Sequence, residues 1–128
     1  MGMFCYQCEQ TVGGKGCTTM GVCGKHPDIA ALLDVIIHQL KGIGFLAHQQ
    51  QLAGTVDNAV NRFTLEALFS TVTNVDFDPD LLMTYIVKGE SLRQKMLSAL
   101  TPQQRASAPA SVHFMPGKTA QECVNQAS

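Results

Sequence analysis

The chain has 128 residues and a formal net charge of −1, and 45% of its residues are hydrophobic while 15% are charged. These values indicate a single globular domain and exclude the basic surface that nucleic-acid binding requires. With no Trp, two Tyr and six Phe, the chain is also poor in the aromatic side chains on which nucleic-acid bases stack.

The N-terminal segment MGMFCYQC does not resemble a targeting signal. It has no basic region followed by an apolar stretch, so we expect no secretory leader. The sequence has no run of about eighteen apolar residues, so we expect no membrane span. A cytoplasmic location follows as an expectation, and clustered cysteines in a reducing compartment are more often metal ligands than disulfides.

Four of the five cysteines lie within the first 23 residues with the spacing C-x2-C-x8-C-x5-C, namely Cys5, Cys8, Cys17 and Cys23. Thiolates suit zinc, copper(I) and iron–sulfur clusters. Zinc modules usually contain two short C-x2–4-C pairs, and only the first pair fits that pattern. A cluster is larger than one ion and accepts ligands from a loop around it, so the spacing favours iron–sulfur. Zinc, disulfides and free thiols stay open as alternatives.

Residues 1–27 are predicted to form a glycine-rich, cluster-binding loop. Its backbone N–H groups are expected to donate to sulfur, and four apolar side chains are expected to shield the cluster from water: Phe4, Tyr6, Met20 and Val22. Lys15 and Lys25 flank the loop. They either stabilise a reduced cluster or dock an acidic redox partner, but solvated loop lysines are slightly favoured.

Residues 28–100 are predicted to form a three-helix bundle within the same domain. The first helix starts at Pro27-Asp28 and runs to about Leu52, with apolar residues at 3.6-residue spacing. Gly42 and Gly44 lie inside it, where each costs about 1 kcal/mol relative to Ala. We therefore expect both glycines to pack closely against another backbone.

The second helix is predicted from Val56 or Asp57 to Thr73 and is apolar around most of its circumference. Such a helix is either the middle element of the bundle or has a partner that this sequence lacks. The third helix opens at Asp78-Pro79-Asp80, which supplies an N-cap, a first-turn proline and a first-turn acid. Its later cations, Arg93 among them, suit the C-terminal end of the helix dipole, and Thr101-Pro102 is expected to end it.

Residues 101–128 are predicted to be a mostly irregular tail with one short helix near Thr119–Gln126. Cys123 is expected to be a free thiol in that mobile tail. We assign no catalytic residue, because no recognised catalytic motif is present and the four histidines fit ordinary loop or surface positions: His26, His38, His48 and His113.

Several segments resemble the hybrid cluster protein family, also called prismane protein or hydroxylamine reductase. The cysteine run MFCYQCEQT, GKGCT and GVCGK is similar to the amino terminus of that family. The segment DIAALLDVIIHQLKGIGFLAH resembles its first long helix, and FTLEALFSTVTNVDFD resembles its second helix and the following turn. The similarity covers about residues 3–100.

The resemblance implies an α-helical bundle and a [4Fe-4S] cluster ligated by the four N-terminal cysteines. A longer cysteine spacing in some members carries [2Fe-2S] instead. Family members are several times longer, and the ligands of their catalytic hybrid cluster lie in later domains that this sequence does not contain. The expected function is therefore electron transfer, and whether the chain by itself is an enzyme stays open.

Two other functions remain as alternatives, a structural zinc module and an iron–sulfur or thiol redox sensor. The expected partners are a redox protein or the absent catalytic domains. A second copy of the chain, bound through the apolar face of the second helix, is a further possibility. We expect no nucleic-acid partner and no membrane.

Overall fold

The computed structural model describes residues 2–72 and 78–127, and its regular structure in these ranges is helical. Five α-helices follow the N-terminal loop: α1 (Pro27–Leu52), α2 (Asn58–Val72), α3 (Pro79–Ser98), α4 (Pro102–Ser107) and α5 (Ala120–Ala127). Two short 3-10 segments lie at Val12–Gly14 and Ala110–His113. The described ranges contain no β-strand, and the all-α prediction is confirmed.

The central element of the fold is α1, which contacts α2, α3, α5 and the 3-10 segment at Ala110–His113. Its predicted apolar face is largely buried, and Val35 and Leu46 are buried as well. Among the described helices α1 alone is long and apolar enough to cross a membrane, with a mean hydropathy of 1.6 in an 18-residue window. Because 61% of that window is buried inside the protein, α1 has the character of a core helix.

Only one face of α2 is buried, formed by Val60, Phe63, Ala67 and Thr71. The opposite face exposes large apolar side chains, and Leu65 and Phe69 are 70% and 68% exposed. The alternative that placed the second helix in the middle of the bundle is therefore wrong for the described residues, since α1 has that position. Thr73, its predicted last residue, lies outside the described residues.

The start of α3 follows its sequence signals. The Asp78 carboxylate accepts a hydrogen bond from the Asp80 backbone N–H at 3.0 Å, and Pro79 opens the first turn. Arg93, one of the later cations of α3, is buried, with only 3% of its surface exposed. Its guanidinium forms two hydrogen bonds to Glu90 and donates a third to the Val112 carbonyl oxygen at 2.9 Å. Arg93 thereby ties α3 to the 3-10 segment.

Residues after 100 are more ordered than the sequence indicated. Thr101 and Gln104 form a reciprocal capping box, so the pair Thr101-Pro102 ends α3 and also starts α4. The short helix predicted near Thr119–Gln126 corresponds to α5, which packs against α1. Cys123 does not lie in a mobile tail, since it is fully buried in the core and its Sγ donates to the Gly117 carbonyl at 3.3 Å.

Candidate metal centre

Backbone pairing inside the N-terminal loop brings Cys5 next to Cys17. The Cys5 N–H donates to the Cys17 carbonyl at 2.9 Å, and the Cys17 N–H donates to the Cys5 carbonyl at 2.8 Å. The Met3 N–H extends this pairing by donating to the Thr18 carbonyl at 3.0 Å. The two cysteines are therefore held side by side by backbone hydrogen bonds, independently of any bond between their sulfurs.

All four N-terminal cysteines line one small cavity of about 20 Å³. Cys17 is buried, Cys5 is half-buried, and Cys8 and Cys23 are exposed. All five cysteines of the chain lie in the described ranges, and each is a free thiol. The structure thus gathers the four residues predicted as ligands around a common space near the surface, without pairing them as disulfides.

The cysteine arrangement is not that of a closed single-ion site. Within residues 2–72 and 78–127, no group of three or more His, Cys, Asp or Glu side chains is arranged to hold a metal ion. A [4Fe-4S] cubane is larger than the cavity, so its binding requires the loop to widen. The donor set still fits such a group, because four thiols are the usual ligands of iron–sulfur clusters.

The surroundings of the Cys17 sulfur favour its thiolate form. Backbone N–H groups of Val12 and Val22 donate to its sulfur and lower its pKa, and the nearby Lys25 ammonium lowers it further, against an opposing contribution from burial. A lowered pKa favours the thiolate, which is the form that ligates metals. Two amide donors on one sulfur also match the N–H to sulfur bonds expected of the loop.

A buried hydroxyl group lies at the same cavity. Thr11 is 8% exposed, and its Oγ1 has no hydrogen-bond partner among the described residues. A buried polar group without a partner is costly, typically by about 1–3 kcal/mol. Because its neighbours around the cavity include four cysteines, a bound sulfur-rich anion would accept this hydroxyl's hydrogen bond. This unsatisfied donor supports the fit between the site and an iron–sulfur group.

Lys25 is not a solvated loop lysine, and that expectation is wrong. It is 2% exposed, and its Nζ lies 3.6 Å from Cys5 Sγ and 2.9 Å from Gln7 Oε1. Gln7 in turn donates from Nε2 to the Thr71 carbonyl at the end of α2. No sequence signal indicates this burial, since a lysine in a polar loop is normally exposed. Lys15, its counterpart in the loop, is exposed.

Of the four apolar side chains expected to shield the site, only Val22 lines the cavity. Phe4, Tyr6, Met20 and Val22 are each between 43% and 64% exposed. The Phe4 ring instead lies against Gly16, where a Cβ atom would be 2.6 Å from a ring carbon. The exposed Phe4 ring can move aside, but Gly16 also has a φ of 120°, which L side chains rarely adopt, so the backbone beside Cys17 favours glycine.

The histidines add no ligand to the cavity. His26 precedes α1 and is exposed without capping it through its side chain. His38 is exposed, as predicted, and its ring packs edge-on against Phe114 with the centroids 4.7 Å apart. His48 and His113 are exposed as well.

The sequence matches the family model described as Prismane/CO dehydrogenase family over residues 3–128. The chain belongs to this family. The match extends past residue 100, so it includes the segment that forms α4 and α5. Membership in the Prismane/CO dehydrogenase family supports a metal cofactor in general.

Curated relatives carry the name hydroxylamine reductase. The protein from Syntrophobacter fumaroxidans is 43% identical over 127 residues, which is 97% of this chain and 23% of the relative. Those from Kosmotoga olearia and Geobacter sulfurreducens are 48% identical over 99 residues and 54% identical over 79 residues, covering 18% and 14% of their own lengths. The chain therefore spans about a fifth of the length of the relatives that it matches.

Proposed function

We propose that Cys5, Cys8, Cys17 and Cys23 ligate a [4Fe-4S] cluster and that the chain transfers electrons through it. In this proposal the chain is the N-terminal part of a hydroxylamine reductase-like hybrid cluster protein. The observation that supports the proposal best is the common cavity lined by all four cysteines together with Thr11 and Lys25. Membership in the Prismane/CO dehydrogenase family agrees with it.

The spacing of the cysteines favours a cluster over zinc, because only Cys5 and Cys8 form the short pair that is typical of zinc modules. A structural zinc ion needs four sulfurs about 2.3 Å from a single point. The described side chains form no such single-ion group, whereas a cubane takes one thiolate at each of four separated corners. The protein's contribution is to orient the thiolates, to donate hydrogen bonds to sulfur and to set how much water reaches the site.

Electron entry is expected from the loop side of the molecule. Cys8 and Cys23 are exposed, and the neighbouring side chains of Tyr6 and Val22 leave the loop surface open. A cluster held there would lie within reach of a docked redox protein. We assign no catalytic residue to this chain, and reduction of hydroxylamine is proposed only for a longer protein that also supplies the catalytic cluster.

The partner surface proposed here is the outer face of α2, with Leu65, Phe69 and Val72 exposed. Isolated exposed apolar residues are common, but a continuous apolar helix face usually marks a contact with another protein. We propose that it contacts a redox partner, the catalytic domains or a second copy of the chain. A cytoplasmic location is part of the same proposal, because reducing conditions keep the ligand thiols free.

The metal content of protein purified without oxygen tests the proposed function. About four iron and four sulfide per chain are expected, with a brown colour that dithionite bleaches. Replacing any one of the four cysteines by Ser should lower iron and sulfide strongly. The matched control is Cys123→Ser, which changes a buried thiol away from the loop and should leave metal content unchanged. A colourless protein with one zinc per chain would contradict the proposal.

The redox-sensor alternative differs in what cluster loss does to the protein. Exposed Cys8 and Cys23 would admit oxidants, and a sensor must then change its helix packing or its partner binding. We expect reversible reduction and reoxidation with the helical circular dichroism spectrum unchanged. A large structural response to cluster loss would favour the sensor.

A further inference from the structure

We propose that Lys25 raises the reduction potential of the bound cluster by holding a buried positive charge against the Cys5 ligand. This inference rests on the proposed function, because it concerns the cluster held by the four cysteines. It assigns a positioning and electrostatic role to a side chain that does not itself ligate metal.

The contact between Lys25 and the ligand set is direct. Its Nζ lies 3.6 Å from Cys5 Sγ, within the distance of a hydrogen bond to sulfur, and the side chain is 2% exposed. Lys25 also lines the cavity shared by the four cysteines. An ammonium placed this way acts on the sulfur without the screening that water gives to an exposed charge.

Neighbouring groups fix the lysine in this position. Its backbone carbonyl oxygen accepts a hydrogen bond from the Gly21 N–H at 2.8 Å. This bond closes a turn of the loop and fixes the Lys25 backbone. At the other end, Nζ donates to Gln7 Oε1 at 2.9 Å, and Gln7 donates from Nε2 to the Thr71 carbonyl. The ammonium is therefore held between a loop turn and the last turn of α2.

Lys25 forms no close ion pair in the part of the chain that the structure describes, although the Asp34 carboxylate is near enough for the Lys25 charge to oppose the rise in its pKa that burial causes. The two ion pairs found there, Arg62–Glu66 and Arg93–Glu90, do not involve it. Its hydrogen-bond partners are a neutral amide and a cysteine sulfur. Burying an ammonium without a close ion pair is costly, and an anionic thiolate-ligated cluster at the same cavity offsets that cost.

The sign of the effect follows from the charges. Each electron added to the cluster makes it more negative, so a nearby cation stabilises the reduced form more than the oxidised form. Removing the cation lowers the reduction potential. Lys15, which is exposed in the same loop, should have little influence because its charge is solvated.

The test is a redox titration of the cluster-loaded chain, in which electron paramagnetic resonance measures how much of the cluster is reduced. Lys25→Met should shift the one-electron reduction equilibrium at least tenfold towards the oxidised form, which corresponds to a potential about 59 mV more negative. Lys25→Arg keeps the charge and should restore most of the potential. Lys15→Met is the matched control and should titrate as the wild type does.

A second variant keeps the test decisive if Lys25→Met does not hold a cluster. Gln7→Glu places a carboxylate on the ammonium at an exposed position, gives up the hydrogen bond to the Thr71 carbonyl, and should also lower the potential. Unchanged potentials in every cluster-loaded Lys25→Met or Gln7→Glu sample would overturn the role of Lys25 and leave the proposed function intact. A wild-type chain that binds no cluster would overturn both.

Discussion

Gly42 of α1 lies directly against the backbone carbonyl of Ser111, and a Cβ atom at Gly42 would be 2.4 Å from that oxygen. The contact seats the 3-10 segment on the central helix. Gly44, two residues further along the same helix, has no neighbouring atom within 4 Å of its Cβ position. The expectation of close packing is therefore confirmed for Gly42 and wrong for Gly44.

These two glycines should respond to alanine in opposite directions. Gly44→Ala should stabilise the protein by about 0.5–1 kcal/mol, because alanine is the better helix former and meets no neighbour. Gly42→Ala gains the same propensity but forces α1 away from Ser111, for a net loss of about 1–2 kcal/mol. Urea unfolding of the two variants measures the difference. Equal stabilisation by both would mean that the 3-10 segment is not seated on α1.

The buried guanidinium of Arg93 should contribute more stability than an exposed ion pair on another helix. Arg93→Met leaves the Val112 carbonyl without this donor and the partly buried Glu90 carboxylate with only the Gln94 amide, and we expect a loss of about 3 kcal/mol. Arg62 serves as control. It forms a 3.8 Å ion pair with Glu66, and the side chains of Arg62 and Glu66 are 83% and 52% exposed. Arg62→Met should cost no more than about 0.5 kcal/mol. If chemical denaturation shows that the two variants lose similar amounts of unfolding free energy, Arg93 does not contribute more stability than the exposed ion pair.

Cys123 should make stability fall with alkaline pH. Burial raises the pKa of its thiol, although a hydrogen bond to Gly117 acts in the opposite direction. In the unfolded chain a cysteine titrates near pH 8.5. Above that pH the folded state holds a proton that the unfolded state releases, so the free energy of unfolding decreases as pH rises. The difference in unfolding free energy between wild type and Cys123→Ala should narrow between pH 7 and 9.5. If the unfolding free energies of the two proteins change with pH in parallel, the Cys123 thiol is not the cause of the alkaline loss of stability.

Two phenylalanines on opposite faces of α2 should differ in how much they contribute to the free energy of unfolding, because one is buried and the other is exposed. Phe63 is 1% exposed, and Phe63→Ala should cost about 3–5 kcal/mol. Phe69 is 68% exposed, and Phe69→Ala should stay within about 0.5 kcal/mol of wild type. If the outer face binds a second copy, Phe69→Lys should also reduce association in sedimentation experiments. A monomeric wild type at all concentrations would exclude the second copy as its partner.

Helix starts were predictable from sequence because their signals are local. Pro27 and the Asp78-Pro79 pair each act within one helical turn, and the structure places the starts of α1 and α3 there. The capping box at Thr101 is local too, but the pair Thr101-Pro102 taken alone indicates only the end of α3. Its reciprocal partner, Gln104, is the signal that would have revealed α4.

The burial of charged side chains was not predictable, because it depends on contacts between residues far apart in the chain. Arg93 reaches a carbonyl nineteen residues away, and Lys25 reaches a sulfur twenty residues away. Amphipathic spacing places such residues on a polar face or loop, where a solvated side chain is the usual outcome. The four cysteines were easier to place together, because glycine-rich spacing keeps them within one short loop.

The packing of α5 and the 3-10 segment Ala110–His113 against α1 has a consequence for synthesis of the protein. One side of this apolar helix is covered by residues beyond 110, including Val112 and Val124. Because chains emerge from the ribosome N-terminus first, that side stays uncovered until nearly the whole segment has been translated. The nascent chain therefore presents a strongly apolar helix to chaperones, and a ribosome stalled before codon 110 would leave an aggregation-prone product.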